Sequence, residues 1–258
     1  PIRNAYAPTC GAFTDAFGRK IPSQLNTIGL RECLMRTLKI CRKYDKRAWY
    51  HGHVVYNPAV MGLGDFWYPG EHLATPLANN PYYYLDEMPI SSYETEFNPH
   101  QKGVGVINLP VISRVYRERG DDPKPTESML GMMMLNDIIS SATQAHLPTI
   151  DKMWGIRKRY QLDKSNFIRF DRNSGFESSS PDVVSSFYQL KDGRLFAIIV
   201  NRSPEDRQAT VRFAGRYASA EDPWRDQPLE LAGTNALNLE IPARLFRIVV
   251  LTPAAPGS

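Results

Sequence analysis

The sequence predicts a two-part fold: a partial (β/α) TIM-barrel-like α/β domain, followed by an antiparallel β-sandwich. A helix pattern leads directly into a histidine-bearing strand, which is followed by a glycine-rich loop that carries acids. A polar, serine-rich stretch then begins near residue 172, and beyond it the patterned segments are short strands bounded by turn residues. We therefore expect the barrel-like domain over 1–172 and the β-sandwich over 173–258.

The first half of the α/β prediction is a helix and the strand after it. The helix begins near Ser23, and apolar side chains recur along one of its faces at Leu30, Leu34, Leu38 and Cys41. The strand, predicted over 48–56, is rich in aromatic and β-branched residues and ends at Asn57-Pro58. A helix, a short turn and a strand form the αβ half of a βαβ unit.

The densest chemistry lies in this strand and directly after it. His51 and His53 share one face of the strand, because the side chains of a strand alternate with a period of two. The loop that follows supplies acids and aromatic rings at Asp65, Trp67, Tyr68, Glu71 and His72. A polar strand end followed by an acid-bearing loop is typical of the C-terminal face of a (β/α) barrel, where active sites lie.

Later segments complete the prediction. Residues 103–110 form a compact, nearly all-apolar strand, as in a parallel sheet buried on both faces. A methionine-rich helix is predicted over 127–141 and should be well buried, because it is apolar almost all round. In the β-sandwich, strands at 183–190 and 194–201 flank a turn that contains Gly193, where the backbone can adopt a positive φ.

Composition excludes several classes of protein. The net charge is +4 over 258 residues and the basic residues are scattered, so no nucleic-acid partner is expected. No apolar run approaches the ~18 residues that a membrane span needs. The three cysteines are too few for a disulfide framework. Cys33 and Cys41 lie more than two helical turns apart, so they cannot bridge each other within one helix.

The order of these motifs resembles a known family. The order is an acid-bearing loop, a helix with Arg31-Glu32, a histidine-bearing strand, Asp65 and then Gly70-Glu71-His72, Leu85-Asp86, the strand at 103–110 and a closing β domain. This order is similar to that of the C-terminal half of large bacterial glycoside-hydrolase-like proteins. In those proteins a (β/α)8 barrel precedes a C-terminal β-sandwich, a layout similar to retaining α-galactosidase and α-glucosidase barrels. The resemblance implies hydrolysis of O-glycosyl bonds in a carbohydrate substrate, no cofactor, and a secreted or periplasmic location.

The resemblance also implies roles for residues. In such families a carboxylate at the end of the fourth strand commonly serves as nucleophile, and one near the sixth strand serves as acid/base. The second role falls on the loop from Asp65 to Glu71, and the first is expected upstream of Pro1. A full barrel takes about 250 residues, more than the 172 that precede the β domain. The missing half, or a second copy of the chain, is therefore an expected partner.

Glu71 is the first candidate for the acid/base, and Asp65 is the second carboxylate. Glycosidases flank the scissile bond with two carboxyl groups, one protonated and one ionised. The Trp67 and Tyr68 rings would exclude water from Glu71 and favour its protonated form. The ordinary alternative is that Glu71 caps the helix that follows or pairs with a lysine.

The remaining candidates would shape a sugar subsite. His51, His53 and His72 would hydrogen-bond to hydroxyl groups, and Trp67 and Tyr68 would stack against sugar faces. Asp86 follows in a polar stretch, with Glu87, Glu94 and Glu96 interpreted as partly solvated loop charges. Asp15 lies in an early loop, where an equally good interpretation is that it forms a turn.

Two other functions remain open. A metal-dependent hydrolase could use His51 and His53, with Asp65, Glu71 or His72 completing the ligand set. We prefer hydrogen bonding to substrate, because the sequence does not establish a third ligand, so no metal is expected. A non-catalytic carbohydrate-binding or assembly module is the other alternative.

Overall fold

The computed structural model describes residues 13–21, 27–46, 51–53, 62–97, 105–112 and 122–255. The chain forms two compact units. The first comprises Pro1–Tyr68 and Lys102–Gly105, and the second comprises Pro69–Gln101 and Val106–Ser258. Among the described residues, no helix is both long and apolar enough to cross a membrane.

The first unit contains a hairpin, a helix and a parallel strand pair. Strands β1 (Phe13–Thr14) and β2 (Lys20–Ile21) pair antiparallel. Helix α1 (Thr27–Lys43) ends in Arg42 and Lys43, whose charges favour the negative end of the helix dipole. Strand β3 (His51–His53) is part of the predicted strand at 48–56 and pairs parallel with β4 (Phe66–Tyr68). Cys33 and Cys41 on α1 are free, as their spacing predicts.

The second unit opens with short helices. A 3₁₀ turn (Glu71–Leu73) runs into α2 (Ala74–Asn79), and α3 (Tyr83–Asp86) follows. Helix α4 (Ile90–Ser92) continues directly into a π-helix over Tyr93–Phe97. Leu77, Tyr84 and Tyr93 are almost fully buried, so these helices form a packed layer despite their short length.

Two longer helices and two strand ends complete this layer. Strand β5 (Gly105–Asn108) pairs parallel with β6 (Ile139–Ser140) through Ile107 and Asn108. Helix α5 (Lys124–Leu135) lies between these strands in the sequence, and α6 (Leu147–Arg159) follows them.

Helix α5 confirms the predicted burial but ends earlier than predicted. Its methionines from Met129 to Met134 are at most 1% exposed. The helix ends at Leu135 because Asp137 adopts a left-handed conformation, with φ 54°. The extension of this helix to Ser141 was therefore wrong, since Ile139–Ser140 belong to β6.

The β-sandwich consists of a six-stranded and a three-stranded antiparallel sheet. The strand order is β13-β12-β15-β10-β9-β7 in the first sheet and β14-β11-β8 in the second. The strands are β7 Asn166–Ile168, β8 Phe176–Ser178, β9 Val183–Gln189, β10 Leu195–Asn201, β11 Arg207–Phe213, β12 Tyr217–Asp222, β13 Gln227–Leu229, β14 Ala236–Ile241 and β15 Phe246–Pro253. The predicted β9–β10 hairpin is confirmed, and Gly193 in its turn has φ 85°.

Apolar side chains from both sheets form one core. Ile199 and Val249 from the larger sheet and Val211 and Leu239 from the smaller are each at most 3% exposed. The strand Asn166–Ile168 lies before residue 173, and it already belongs to the larger sheet. The domain boundary after residue 172 stays a prediction.

A polar network joins the helices of the second unit to β9. The carboxylate of Asp137 accepts hydrogen bonds from the Tyr188 hydroxyl at 2.8 Å and from the Arg157 guanidinium at 3.3 Å. The Ser186 hydroxyl donates to the carbonyl of Leu135 at 2.7 Å. The carbonyl of Leu135 at the buried end of α5 therefore accepts its hydrogen bond from a residue distant in the sequence.

Buried tyrosines predict loss of stability in alkali. Burial, with a hydrogen bond to Glu221, raises the pKa of Tyr160 to about 12, and burial also raises the pKa values of Tyr84, Tyr93 and Tyr188. Above pH ~10 the unfolded chain therefore holds fewer protons than the folded one. The free energy of unfolding should fall by about 1.4 kcal/mol per pH unit for each such tyrosine.

Urea unfolding between pH 9 and 11, with absorbance at 295 nm reporting tyrosinate, measures this loss. The Tyr160→Phe variant should retain the effect with a shallower slope above pH ~10. Ionisation of all tyrosines near pH ~10 in a chain with unchanged circular dichroism would contradict the prediction.

Candidate functional site

The segment that leaves β4 is held against the end of β5. The Leu109 amide donates to the carbonyl of Pro69 at 2.7 Å. Gly70 has φ 127°, and a Cβ added there would lie 2.1 Å from the carbonyl oxygen of Leu109. Only glycine allows this close approach, so the backbone position of Glu71, the next residue, is well determined.

Glu71 is the first residue of the 3₁₀ turn and is half-buried. The Leu73 amide donates to the carbonyl of Gly70 at 2.9 Å, which closes the turn around Glu71. Glu71 follows β4, a short strand that lies where the sequence predicts only a glycine-rich loop. The alternative that Glu71 caps the following helix or pairs with a lysine stays a prediction.

His72 contacts the carboxylate of Glu96, a residue predicted to be a partly solvated loop charge. The His72 Nε2 atom lies 3.1 Å from Oε1 of Glu96. Glu96 belongs to the π-helix, and its side chain is only 22% exposed. The carboxylate of Glu96 therefore lies beside His72, the residue that follows Glu71 in the chain. No sequence signal identified Glu96, because the contact joins positions 24 residues apart.

Asn108 is a buried polar residue of β5 for which the sequence predicts no role. It lies at the end of β5 and is fully buried. Its amide nitrogen donates to Ser140 Oγ at 3.4 Å and to Met129 Sδ at 3.3 Å. Its Oδ1 atom has no hydrogen-bond partner among the described residues and lies 3.1 Å from the Cβ position of Gly70. A lone polar residue in an otherwise apolar strand was the available signal.

The first unit holds the other loop candidates. Asp65 is exposed, precedes β4 and lines a cavity of about 370 Å³ together with Cys41, Arg42 and Lys46. Trp67 is 3% exposed, and a Cβ on Gly52 would overlap its ring, so the two residues pack in direct contact. Tyr68 is half-buried and therefore offers more accessible surface than Trp67.

The backbone of the histidine strand lies beside the aromatic strand. In the parallel register His51 is opposite Phe66, and His53 is opposite Tyr68. The side chains of His51 and His53 lie outside the part of the chain that the structure describes. Among the described residues, no group of three or more histidine, cysteine, aspartate or glutamate side chains could hold a metal ion.

Asp15 and Asp86 lie in other surroundings. The Oδ1 atom of Asp15 accepts the backbone amides of Phe17 and Arg19, each at 2.9 Å, in the β1–β2 turn. These hydrogen bonds, with one from the Arg19 side chain, lower the pKa of Asp15. Asp15 therefore forms a turn, the alternative that the sequence left open.

Asp86 forms an ion pair that ties the helical layer to the β-sandwich. Its Oδ1 atom lies 2.8 Å from Nε of Arg244, which follows β14. Asn80 donates to its Oδ2 atom at 3.2 Å. The structure thus brings Glu96 to His72, the residue after Glu71 in the chain, and places Asp86 against the sandwich. The substrate-binding roles of all these residues stay predictions.

Comparisons with known proteins give a fold and no family. No protein-family model matches the chain, and no curated protein sequence matches it. Solved structures do match. A noncanonic maltogenic α-amylase, AmyB from Thermotoga neapolitana, has a TM-score of 0.55 at 11% identity over 87% of this chain and 59% of that chain. An Anoxybacillus α-amylase has a TM-score of 0.53 at 8% identity over 91% and 58%.

A candidate α-galactosidase/melibiase from Bacteroides fragilis NCTC 9343 also matches, with a TM-score of 0.51 at 10% identity over 88% of this chain and 52% of that chain. The expected resemblance to glycoside hydrolases is therefore confirmed at the level of fold. The α/β layer followed by a β-sandwich fits these structures. The chain spans between half and three fifths of their length.

Proposed function

We propose that this chain is a glycoside hydrolase, or the C-terminal part of one, that cleaves O-glycosyl bonds with carboxylates as acid and base. One observation carries the proposal. In a fold shared with glycoside hydrolases, Glu71 follows a parallel strand directly, at a position set by the Gly70–Leu109 contact. Carboxylates at the C-terminal ends of strands are where barrel enzymes place their catalytic groups.

In this proposal Glu71 donates a proton to the glycosidic oxygen as the bond between this oxygen and the anomeric carbon breaks. Water supplies the new oxygen on the anomeric carbon and gives its proton to a carboxylate. A carboxyl group in this role must lie within hydrogen-bond reach of the glycosidic oxygen, at a site that is partly screened from bulk water. The half-buried position of Glu71 supports the role. Asp65 is the second carboxylate predicted from the sequence, but it precedes β4 instead of following a strand, so its role in the proposal rests on the sequence alone.

The neighbours of Glu71 would orient the sugar. Glu96 holds the imidazole of His72 through its 3.1 Å contact, so the ring presents one defined edge. A histidine held in this way can hydrogen-bond to a sugar hydroxyl with little loss of side-chain entropy. Tyr68, His51 and His53 keep the sugar-binding roles predicted from the sequence, whereas Trp67, at 3% exposed, has too little accessible surface to stack against a sugar.

Turnover of a panel of 4-nitrophenyl glycosides, with and without EDTA, tests the proposal. At least one glycoside should be hydrolysed, and EDTA should leave the rate unchanged, because carboxylate catalysis uses no metal ion. Loss of activity in EDTA and its recovery with zinc would favour the metal-dependent hydrolase that uses His51 and His53. Binding of a carbohydrate without turnover of any glycoside would favour the non-catalytic module.

A further inference from the structure

A second cavity lies in the second unit, where the helical layer adjoins the β-sandwich. Its volume is about 530 Å³, within the range of roughly 300–1,000 Å³ found for small-molecule sites. It is lined from the π-helix by Glu94, from the end of α5 by Asn136 and Asp137, and otherwise by residues from Leu162 to Arg172. Neither Glu71 nor His72 lines it.

Most of the charge in this cavity is already neutralised by the protein. Arg169 forms ion pairs with both Glu94 and Asp171. The hydrogen bond from Arg169 lowers the pKa of Asp171, as expected for a stable ion pair. Asp137 is bound by Arg157 and Tyr188. The paired groups therefore do not form a strong site for a free ion of either sign.

The cavity also offers apolar surface and amide groups. Phe167 is half-buried and packs against Tyr188, with the ring centroids 5.0 Å apart. Asn136 is 6% exposed, and its Oδ1 atom has no hydrogen-bond partner in the described part of the chain. The side chains of Asn166 and Arg172 are exposed at the opening, where Nδ2 of Asn166 donates to Oε1 of Gln189 at 2.8 Å and leaves Oδ1 of Asn166 at the surface.

These features select one class of ligand. A metal ion would need clustered carboxylates, and the described residues contain no such group of three or more. A phosphate would need several uncommitted cations, whereas Arg169 is held between two carboxylates. One half-buried phenylalanine ring, with an exposed amide and an exposed guanidinium group at the opening, instead suits a neutral ligand that carries apolar C–H faces and many hydroxyl groups.

We propose that this cavity is a second binding site, for a neutral mono- or disaccharide. The choice of a saccharide over other polyols rests on the proposed function. The π-helix separates this site from the candidate catalytic segment, because Glu94 pairs with Arg169 in the cavity while Glu96 pairs with His72. The second site retains carbohydrate without taking part in bond cleavage.

Calorimetric titration with maltose, lactose and cellobiose tests this site in the Glu71→Gln chain, where the substitution is intended to prevent turnover. At least one disaccharide should bind. Combining Asn166→Ala with Arg172→Ala should raise its Kd at least about tenfold, because hydrogen bonds to exposed polar groups at the opening are lost. Arg216→Ala is the matched control, since Arg216 is exposed and lines a different cavity. It should leave the Kd unchanged.

Three results would overturn the proposal: no binding of any of the three sugars, an unchanged Kd in the double variant, or displacement of the sugar by inorganic phosphate. The same double variant in the chain with Glu71 intact should still hydrolyse any aryl glycoside that the unsubstituted chain hydrolyses. Sugar binding that depends on Asn166 and Arg172 would support the site even if no glycoside were turned over, so the two proposals fail separately.

Discussion

The Glu71→Gln variant is expected to lose at least about a hundredfold in kcat on 4-nitrophenyl glycosides, because general acid–base catalysis contributes roughly 10²- to 10⁴-fold. Glutamine keeps the size and polarity of the side chain but has no proton to donate to the leaving oxygen. KM should change little, since the substitution removes an interaction made in the transition state. Steady-state kinetics with the best substrate of the panel measures the loss.

Glu87→Gln is the matched control. Glu87 is an exposed acid that accepts a hydrogen bond from Asn80 at 2.8 Å, and it should retain full kcat when substituted. Asp65→Asn should also reduce kcat if Asp65 is the second carboxylate. Full activity in both Glu71→Gln and Asp65→Asn would remove the assignment of the catalytic residues.

Gly70→Ala is expected to cause the largest loss of stability. The new Cβ would lie 2.1 Å from the Leu109 carbonyl oxygen, and the backbone φ of 127° disfavours any side chain. Strained backbone costs ~1–2 kcal/mol and overpacking ~1–3 kcal/mol, so the free energy of unfolding should fall by roughly 2–5 kcal/mol. Urea unfolding followed by circular dichroism measures this change.

A second glycine separates the two causes. Gly233 also has a positive φ, of 77°, but nothing lies within 4 Å of its added Cβ. Gly233→Ala should therefore lose only the backbone part, about 1–2 kcal/mol. Equal losses in Gly70→Ala and Gly233→Ala would show that the contact with Leu109 contributes nothing to stability.

Short sequence patterns predicted the hairpin and the helix that depend mainly on residues close together in the chain. The β-branched and aromatic residues of 183–189 and 195–201 and the glycine between the two segments were enough to predict the β9–β10 hairpin. The all-round apolar character of α5 was enough to predict its burial. The end of α5 was not predictable, because Asp137 is held by Arg157 and Tyr188, which lie 20 and 51 residues further along the chain.

Contacts between residues distant in the sequence also explain why parts of the candidate site were not predicted. Strand β4 is only three residues long and lies in a segment taken as a glycine-rich loop; packing of Trp67 on Gly52 supports it. The His72–Glu96 contact depends on a π-helix, for which short sequence patterns give no signal. Glu71 could be proposed from sequence because its surroundings, an aromatic run and a glycine, are contiguous with it.

The dependence of kcat/KM on the leaving group tests the central claim most directly. A series of aryl glycosides with leaving groups from dinitrophenol to phenol should give a shallow slope in the unsubstituted chain, because Glu71 protonates the departing oxygen. In Glu71→Gln the slope should become steep, with dinitrophenyl glycosides nearly unaffected and phenyl glycosides almost inert. Equal slopes in the two proteins would contradict the assignment of Glu71 as the acid.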